Sequence, residues 1–181
     1  AAVSADGGRS FQPLGVVLDE PWHLSYPLVF QHAGAAYMLP EGSKSRTLRL
    51  YKATNFPKQW AFDRVLIDGP IVDASLIPPE TAAKAGFTDG RWYMFASDQR
   101  RKSSKRCKEL ELWHSDTPLS GWRLHPSSPV HEWVQGSRMA GRPIAVNGKL
   151  YRFGQDCGRT YGGRLKVYEV VTLNATHYSE R

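Results

Sequence analysis

A chain of 181 residues with 41% hydrophobic and 23% charged residues is long enough to bury one core and too apolar to be disordered. No apolar run approaches the ~20 residues of a membrane-spanning helix, and two cysteines, Cys107 and Cys157, are too few for a disulfide scaffold and lack zinc-ligand spacing. Much of the net charge of +7 sits in "QRRKSSKRCK" (99–108), which reads first as a solvated hairpin loop and second as a patch for anionic glycans or lipid headgroups; no nucleic-acid-binding signature surrounds it, so no nucleic-acid partner is expected.

Residues 1–20 contain the strand-like run "FQPLGVVLDE", which parallels "WAFDRVLIDG" further on. "SYPLVFQHAGAAYMLPEGS" (25–43) is an apolar run, a Gly-containing turn and an aromatic strand that ends on Glu41 behind a proline. "LRLYKATNFPKQWAFDRVLID" (48–68) follows with the Leu-x-Leu-aromatic alternation of a strand buried on one face. The pattern then returns in "VDASLIPPETAAKAGFTDGRWYMFASD" (72–98) and "LELWHSDTPLSGWRLHP" (110–126), and again in "GRPIAVNGKLYRFGQD" (141–156) and "LKVYEVVTLNATHYSER" (165–181). Tyr37, Tyr93 and Tyr151 recur in register and belong to the core, as do Trp60 and Trp122, which open the fourth strand of their units. Helical composition is confined to "PPETAAKAG" (78–86), a short insertion within a hairpin turn.

Four antiparallel strands repeated in this way define the blades of an all-β propeller. The chain is one partial propeller domain, 1–181, with the end of an earlier blade at 1–20 and blades at about 24–68, 70–126 and 129–181. Three and a half blades leave open edges, so the missing blades are expected from a longer chain or from a partner.

The strings "VVLDEPWHLSYPLVFQHAGAAYMLPEGS", "LRLYKATNFPKQWAFDRVLIDGPIVDASLI" and "AGRPIAVNGKLYRFGQDCGRTYG" resemble the propeller at the N-terminus of glucosamine inositolphosphorylceramide transferases. That domain is similar in turn to the five-bladed propellers of family 43 glycoside hydrolases. The resemblance implies a carbohydrate context in the Golgi lumen or outside the cell, with transferase chemistry in a separate domain. The "NAT" sequon at 174–176 and a single Cys107–Cys157 bridge, if the fold joins those residues, fit a secretory protein.

Aligning the repeats puts Tyr26, Asp73 and Arg142 at the start of the innermost strands, facing the axis, with Glu41, Asp98 and Asp156 at the ends of the next strands. In the family 43 pattern Asp73 matches the supporting Asp, while Arg138 and Arg142 stand where the general-acid Glu is expected. An arginine cannot donate a proton at neutral pH. Asp73 and Glu41 are therefore the candidate catalytic pair, and His23, Tyr26, Asp98, Arg138, Arg142 and Asp156 the candidate substrate-binding residues, the arginines suiting an anionic glycan or glycolipid. Trp22 or Tyr161 is placed to stack on a sugar ring, and no ligand set specifies a metal or cofactor. Three functions follow: a carbohydrate-recognition propeller attached to a glycosyltransferase, a glycoside hydrolase with displaced catalytic residues, and a scaffold for an extracellular or luminal assembly.

Overall fold

The computed structural model describes residues 1–100 and 109–181. Cys107 and the basic run beyond Arg100, with its expected loop and any bridge to Cys157, lie outside the described residues.

A two-residue ladder of β1 (Ala2–Val3) and β2 (Gln12–Pro13) opens the chain. The first full sheet is an antiparallel meander of β3 (Ser25–His32), β4 (Ala35–Glu41), β5 (Thr47–Asn55) and β6 (Gln59–Asp68). The second is β7 (Ile71–Ile77), β8 (Trp92–Asp98), β9 (Glu111–Ser115) and β10 (Arg123–Leu124). The third runs β11 (Gln135–Met139), β13 (Lys149–Asp156), β14 (Arg164–Leu173) and β15 (Tyr178–Glu180), with β12 (Ile144–Val146) pairing the far end of β13. Helix α1 (Pro79–Ala83) sits between β7 and β8, as its composition predicts, with proline at its first turn and Ala82 buried. The first strand of the second sheet, β7, meets the first strands of the other two, β3 and β11, as neighbouring propeller blades do near an axis.

Side-chain alternation explains how the sheets stack. On β8, Trp92, Met94 and Ala96 join Phe30, Tyr37 and Leu39 of the first sheet in one core, whereas Tyr93 and Phe95 join Met139, Leu150 and Val170 of the third sheet in another. The middle sheet is buried on both faces, so β7 and β8 read as continuous apolar runs. Trp60 and Trp122 tie turn to strand in the same way: their indole N–H groups donate to the carbonyls of Pro57 (2.9 Å) and Pro118 (3.2 Å).

The outer sheets each leave an apolar face open. Leu165, Val167 and Val171, with Ile144 and Val146, are exposed on the third sheet, opposite the side that carries Leu150 and Val170 into the core. On the first sheet Val29, Phe62 and Val65 are exposed, and residues ahead of β3 cover part of that face. There Tyr51 donates to Glu20 (2.6 Å), and Arg49 lies over the rings of Trp22 (4.7 Å) and Phe62 (5.2 Å). Trp22 is thus engaged in packing rather than offered to a ligand. Asn174 has a structural task too, its Oδ1 accepting the backbone N–H of Thr176 and of His177 in the β14–β15 turn.

Candidate functional site

Each inner strand carries a β-bulge near its start, between Ser25 and Leu28, between Val72 and Ser75, and between Gln135 and Arg138. Two residues before each ladder resumes, the backbone turns to positive φ: 47° at Tyr26, 54° at Asp73 and 111° at Gly136. This conformation costs a non-glycine residue about 1–3 kcal/mol and persists only where the surroundings fix it. The bulges re-aim these side chains out of the sheet and towards the axis.

The third member of the set is therefore Gly136, not Arg142. The polar string "QGSRM" forms the inner strand, and Arg142 falls in the break between β11 and β12. The repeat alignment slipped because Pro143–Val146 mimics the apolar pattern, whereas the true strand buries a serine and an arginine. Arg142 is exposed and donates to the Val29 carbonyl, bridging the first and third sheets.

Arg138, nearly buried, makes the site. Its Nε contacts the Asp73 carboxylate and its Nη2 lies 3.7 Å from Glu41, while Tyr161 places its ring 5.7 Å from the guanidinium carbon. One residue from each sheet thus meets at a single point: Glu41 from β4, Asp73 from β7 and Arg138 from β11. The three line or adjoin a cleft of about 550 Å³ whose wall includes Glu41, Ser43, Gln99, Arg138, Cys157 and Tyr161. Burial raises the Asp73 carboxyl, Arg138 opposes this, and nearby Glu41 adds a like-charge push; the outcome is a value of about 7. The Asp73 carboxyl therefore gains or loses its proton close to neutrality.

Parity along the strand explains why Glu41 reaches this point and Asp98 does not. Glu41 is four residues after Tyr37 and shares its face, towards the second sheet. Asp98 is five residues after Tyr93 and takes the opposite face, where the Arg100 guanidinium grips it from 2.6 Å. Asp156 ends the third of these strands, and its Oδ1 accepts the Gly158 N–H at 2.9 Å, a turn contact. Tyr26 acts as a latch: its hydroxyl accepts the Gly141 N–H (2.7 Å) and hydrogen-bonds Ser75 (3.0 Å), joining β3 and β7 to the segment that follows β11. His23 is exposed just ahead of β3. Ser43, Ser75 and Gln99 were not anticipated, although each stands within two residues of a singled-out acid and that adjacency was the available signal.

Comparison with solved structures fits this geometry. An exo-β-1,3-galactanase from Clostridium thermocellum matches with a TM-score of 0.60 at 16% identity, over 85% of this chain and 33% of that one. An endo-1,4-β-xylanase from Bacteroides thetaiotaomicron matches with a TM-score of 0.62 at 12% identity, over 94% and 62%. A thermostable family-43 glycoside hydrolase gives 0.62 at 11% identity, over 91% and 59%. At such identities the likeness establishes the fold, and the chain is a partial β-propeller of the family 43 type. More specifically, the family model described as "Glucosamine inositolphosphorylceramide transferase 1, N-terminal" matches residues 1–181, and the chain belongs to that family. It is 43% identical over 181 residues to Glucosamine inositolphosphorylceramide transferase 1 of Oryza sativa subsp. japonica. It is 38% identical over 182 residues to the protein of the same name from Arabidopsis thaliana. In both cases 99% of this chain is covered, and it spans 23% of the relative's length.

Proposed function

We propose that this chain is the glycan-recognition propeller of a larger glycan-processing protein of the secretory pathway, and that it seats a neutral sugar on the Glu41–Asp73–Arg138 cluster. The observation that carries the reading is the convergence of these three charged side chains, one per sheet, on a cleft walled by the exposed Tyr161 ring. Carboxylates accept hydrogen bonds from sugar hydroxyls, the spare guanidinium N–H groups donate to them, and an aromatic face stacks on a sugar ring. Because Arg138 already faces two carboxylates, the cleft favours uncharged hydroxyls over an anion. The name shared by the relatives, a transferase acting on a glycolipid, supports the carbohydrate context, with the transfer chemistry in the rest of the longer protein. The open apolar faces of the first and third sheets support further blades, bringing the ring to five from the same chain or a partner.

Hydrolysis is the weaker reading. It needs two carboxyl groups flanking the scissile bond, about 5–5.5 Å apart in retaining and about 6.5–9.5 Å apart in inverting enzymes. Asp73 and Glu41 instead both face the Arg138 guanidinium, which stands where a scissile bond flanked by the two carboxyls would have to lie.

A broad glycan array probed with the intact protein tests the proposal. Binding to a neutral glycan, weakened at least ~10-fold by Asp73→Asn or Arg138→Lys in variants that still fold, is the expected result. An array without a single hit for folded protein sinks the reading. Turnover of aryl glycosides that depends on Asp73 and Glu41 would instead reinstate the hydrolase.

A further inference from the structure

Of the three asparagines in the chain, Asn55, Asn147 and Asn174, only Asn174 opens an Asn-x-Thr triplet without proline in the middle. Such triplets also arise by chance, so the turn that holds this one decides its meaning. The Oδ1 of Asn174 accepts the Thr176 N–H at 3.0 Å, the Thr176 hydroxyl at 3.0 Å and the His177 N–H at 2.9 Å. A backbone N–H can only donate, so the oxygen of the amide has to face the turn. The amide is planar, and its Nδ2 therefore points away from the turn. It takes no hydrogen bond among the described residues.

The main chain is held independently of that nitrogen. Nε2 of the buried His125 bonds the Asn174 carbonyl at 2.8 Å, and the Asn174 N–H donates to the His177 carbonyl at 3.1 Å. Thr176 and His177 are exposed. A substituent on Nδ2 would thus break none of the bonds that shape the turn.

Placement along the sheet supports the same conclusion. β14 pairs Arg164 with Asp156 at the end where Cys157 and Tyr161 wall the cleft, and Asn174 follows its other end. Ten residues of strand separate the two, a length of about 30 Å. A bulky group on Asn174 would leave the cleft clear.

We infer that Asn174 is an N-glycosylation site, and that its glycan keeps the β14–β15 end of the propeller open to solvent while the cleft end stays free. In the modification Nδ2 attacks the anomeric carbon of an oligosaccharide carried on a lipid diphosphate. The C–N bond forms as the C–O bond to the diphosphate breaks, one amide proton passes to a base, and the lipid diphosphate leaves with the electron pair. This rests on the chain entering the secretory pathway, where such donors are found.

The full-length protein produced in a eukaryotic secretory host tests this, read on the tryptic peptide 167–181, whose one asparagine is Asn174. Wild type should yield that peptide glycosylated, with peptide-N-glycosidase releasing the glycan and leaving aspartate at 174. Thr176→Ala should give the bare peptide from protein that still folds, because Asn174 and both backbone bonds to its Oδ1 remain. Lys149→Thr in that background is the control. It builds an acceptor triplet on Asn147, which is exposed in the β12–β13 turn at the same end of the sheet. A glycan on Asn147 in this variant, with none on Asn174 in wild type, overturns the inference and leaves the secretory reading standing. Bare chains throughout remove both together. Trimming of the Asn174 glycan by an endoglycosidase without denaturant supports an end open to solvent, and a glycan cut only after unfolding overturns that part.

Discussion

Two arginine–carboxylate clusters in this molecule use one chemistry for different ends. Arg152 is fully buried, and the partners that bond it all belong to the third sheet. The Glu180 carboxylate grips it from β15, the Gly136 carbonyl accepts its Nη1 at 2.6 Å, and the Tyr168 ring lies 4.1 Å away. Glu180 in turn takes Nδ1 of His131 at 2.9 Å and the Tyr178 hydroxyl, so the outermost strand is fastened to the innermost one. Arg138 draws its carboxylates from two other sheets and opens onto a cleft. A cluster closed within one sheet fixes that sheet. One shared among three sheets depends on how they are set against each other and keeps polar capacity for a ligand. The difference follows from where the partners originate, not from the residue types.

Arg152→Ala sharpens the contrast most. Breaking a buried pair while leaving the other charge behind costs about 3–5 kcal/mol, and denaturant unfolding should show that loss with glycan affinity retained in the folded fraction. A loss under ~1 kcal/mol would mean that the closed cluster does not hold the sheet.

Acid titration comes next. Burial by itself would raise the Glu180 carboxyl, but hydrogen bonds from Arg152 and His131 and the arginine charge outweigh it and bring it down to about 2. A depressed carboxylate contributes stability above its unfolded value and loses it as pH falls, so wild type should shed about 3 kcal/mol between pH 4.5 and 2. Glu180→Gln should flatten that limb. Asp73 has the opposite sign: its carboxyl is raised, so its contribution is full below about pH 4 and fades as pH rises towards 7. Unfolding curves of Asp73→Asn should lose that neutral-pH slope while keeping the acid one.

In the open cluster the effects on stability are smaller and those on binding larger. Asp73→Asn should lower the melting temperature by less than ~4 °C, a change of about 1 kcal/mol, yet cost at least ~10-fold in glycan affinity. Equal losses in both readouts would make the two clusters alike and the cleft merely structural. The smallest expected effect is that of Tyr161→Ala, about 0.5–1 kcal/mol of binding from an exposed ring beside Arg138, with no change in melting temperature.

The sequence by itself determined the kind of element and its repetition. Period-2 alternation, Gly- and Pro-marked turns and the recurring acids at 41, 98 and 156 disclose three strand sets, and "PPETAAKAG" discloses the one insertion. It also singled out Asp73 and Glu41 through their places in the repeat, and Arg138 through the resemblance, which expects a general-acid Glu there. Only the tertiary structure decided which charges meet. Glu41 and Asp98 look equivalent, yet four and five residues past their tyrosines they fall on opposite faces once the strands pair. A bulge that leaves no mark in the sequence makes Gly136 rather than Arg142 complete the inner set. The structural arginine, Arg152, was likewise legible only as one more residue of an aromatic strand. Its role depends on Glu180, 28 residues away, and cross-strand distance is a property of pairing, not of spacing along the chain.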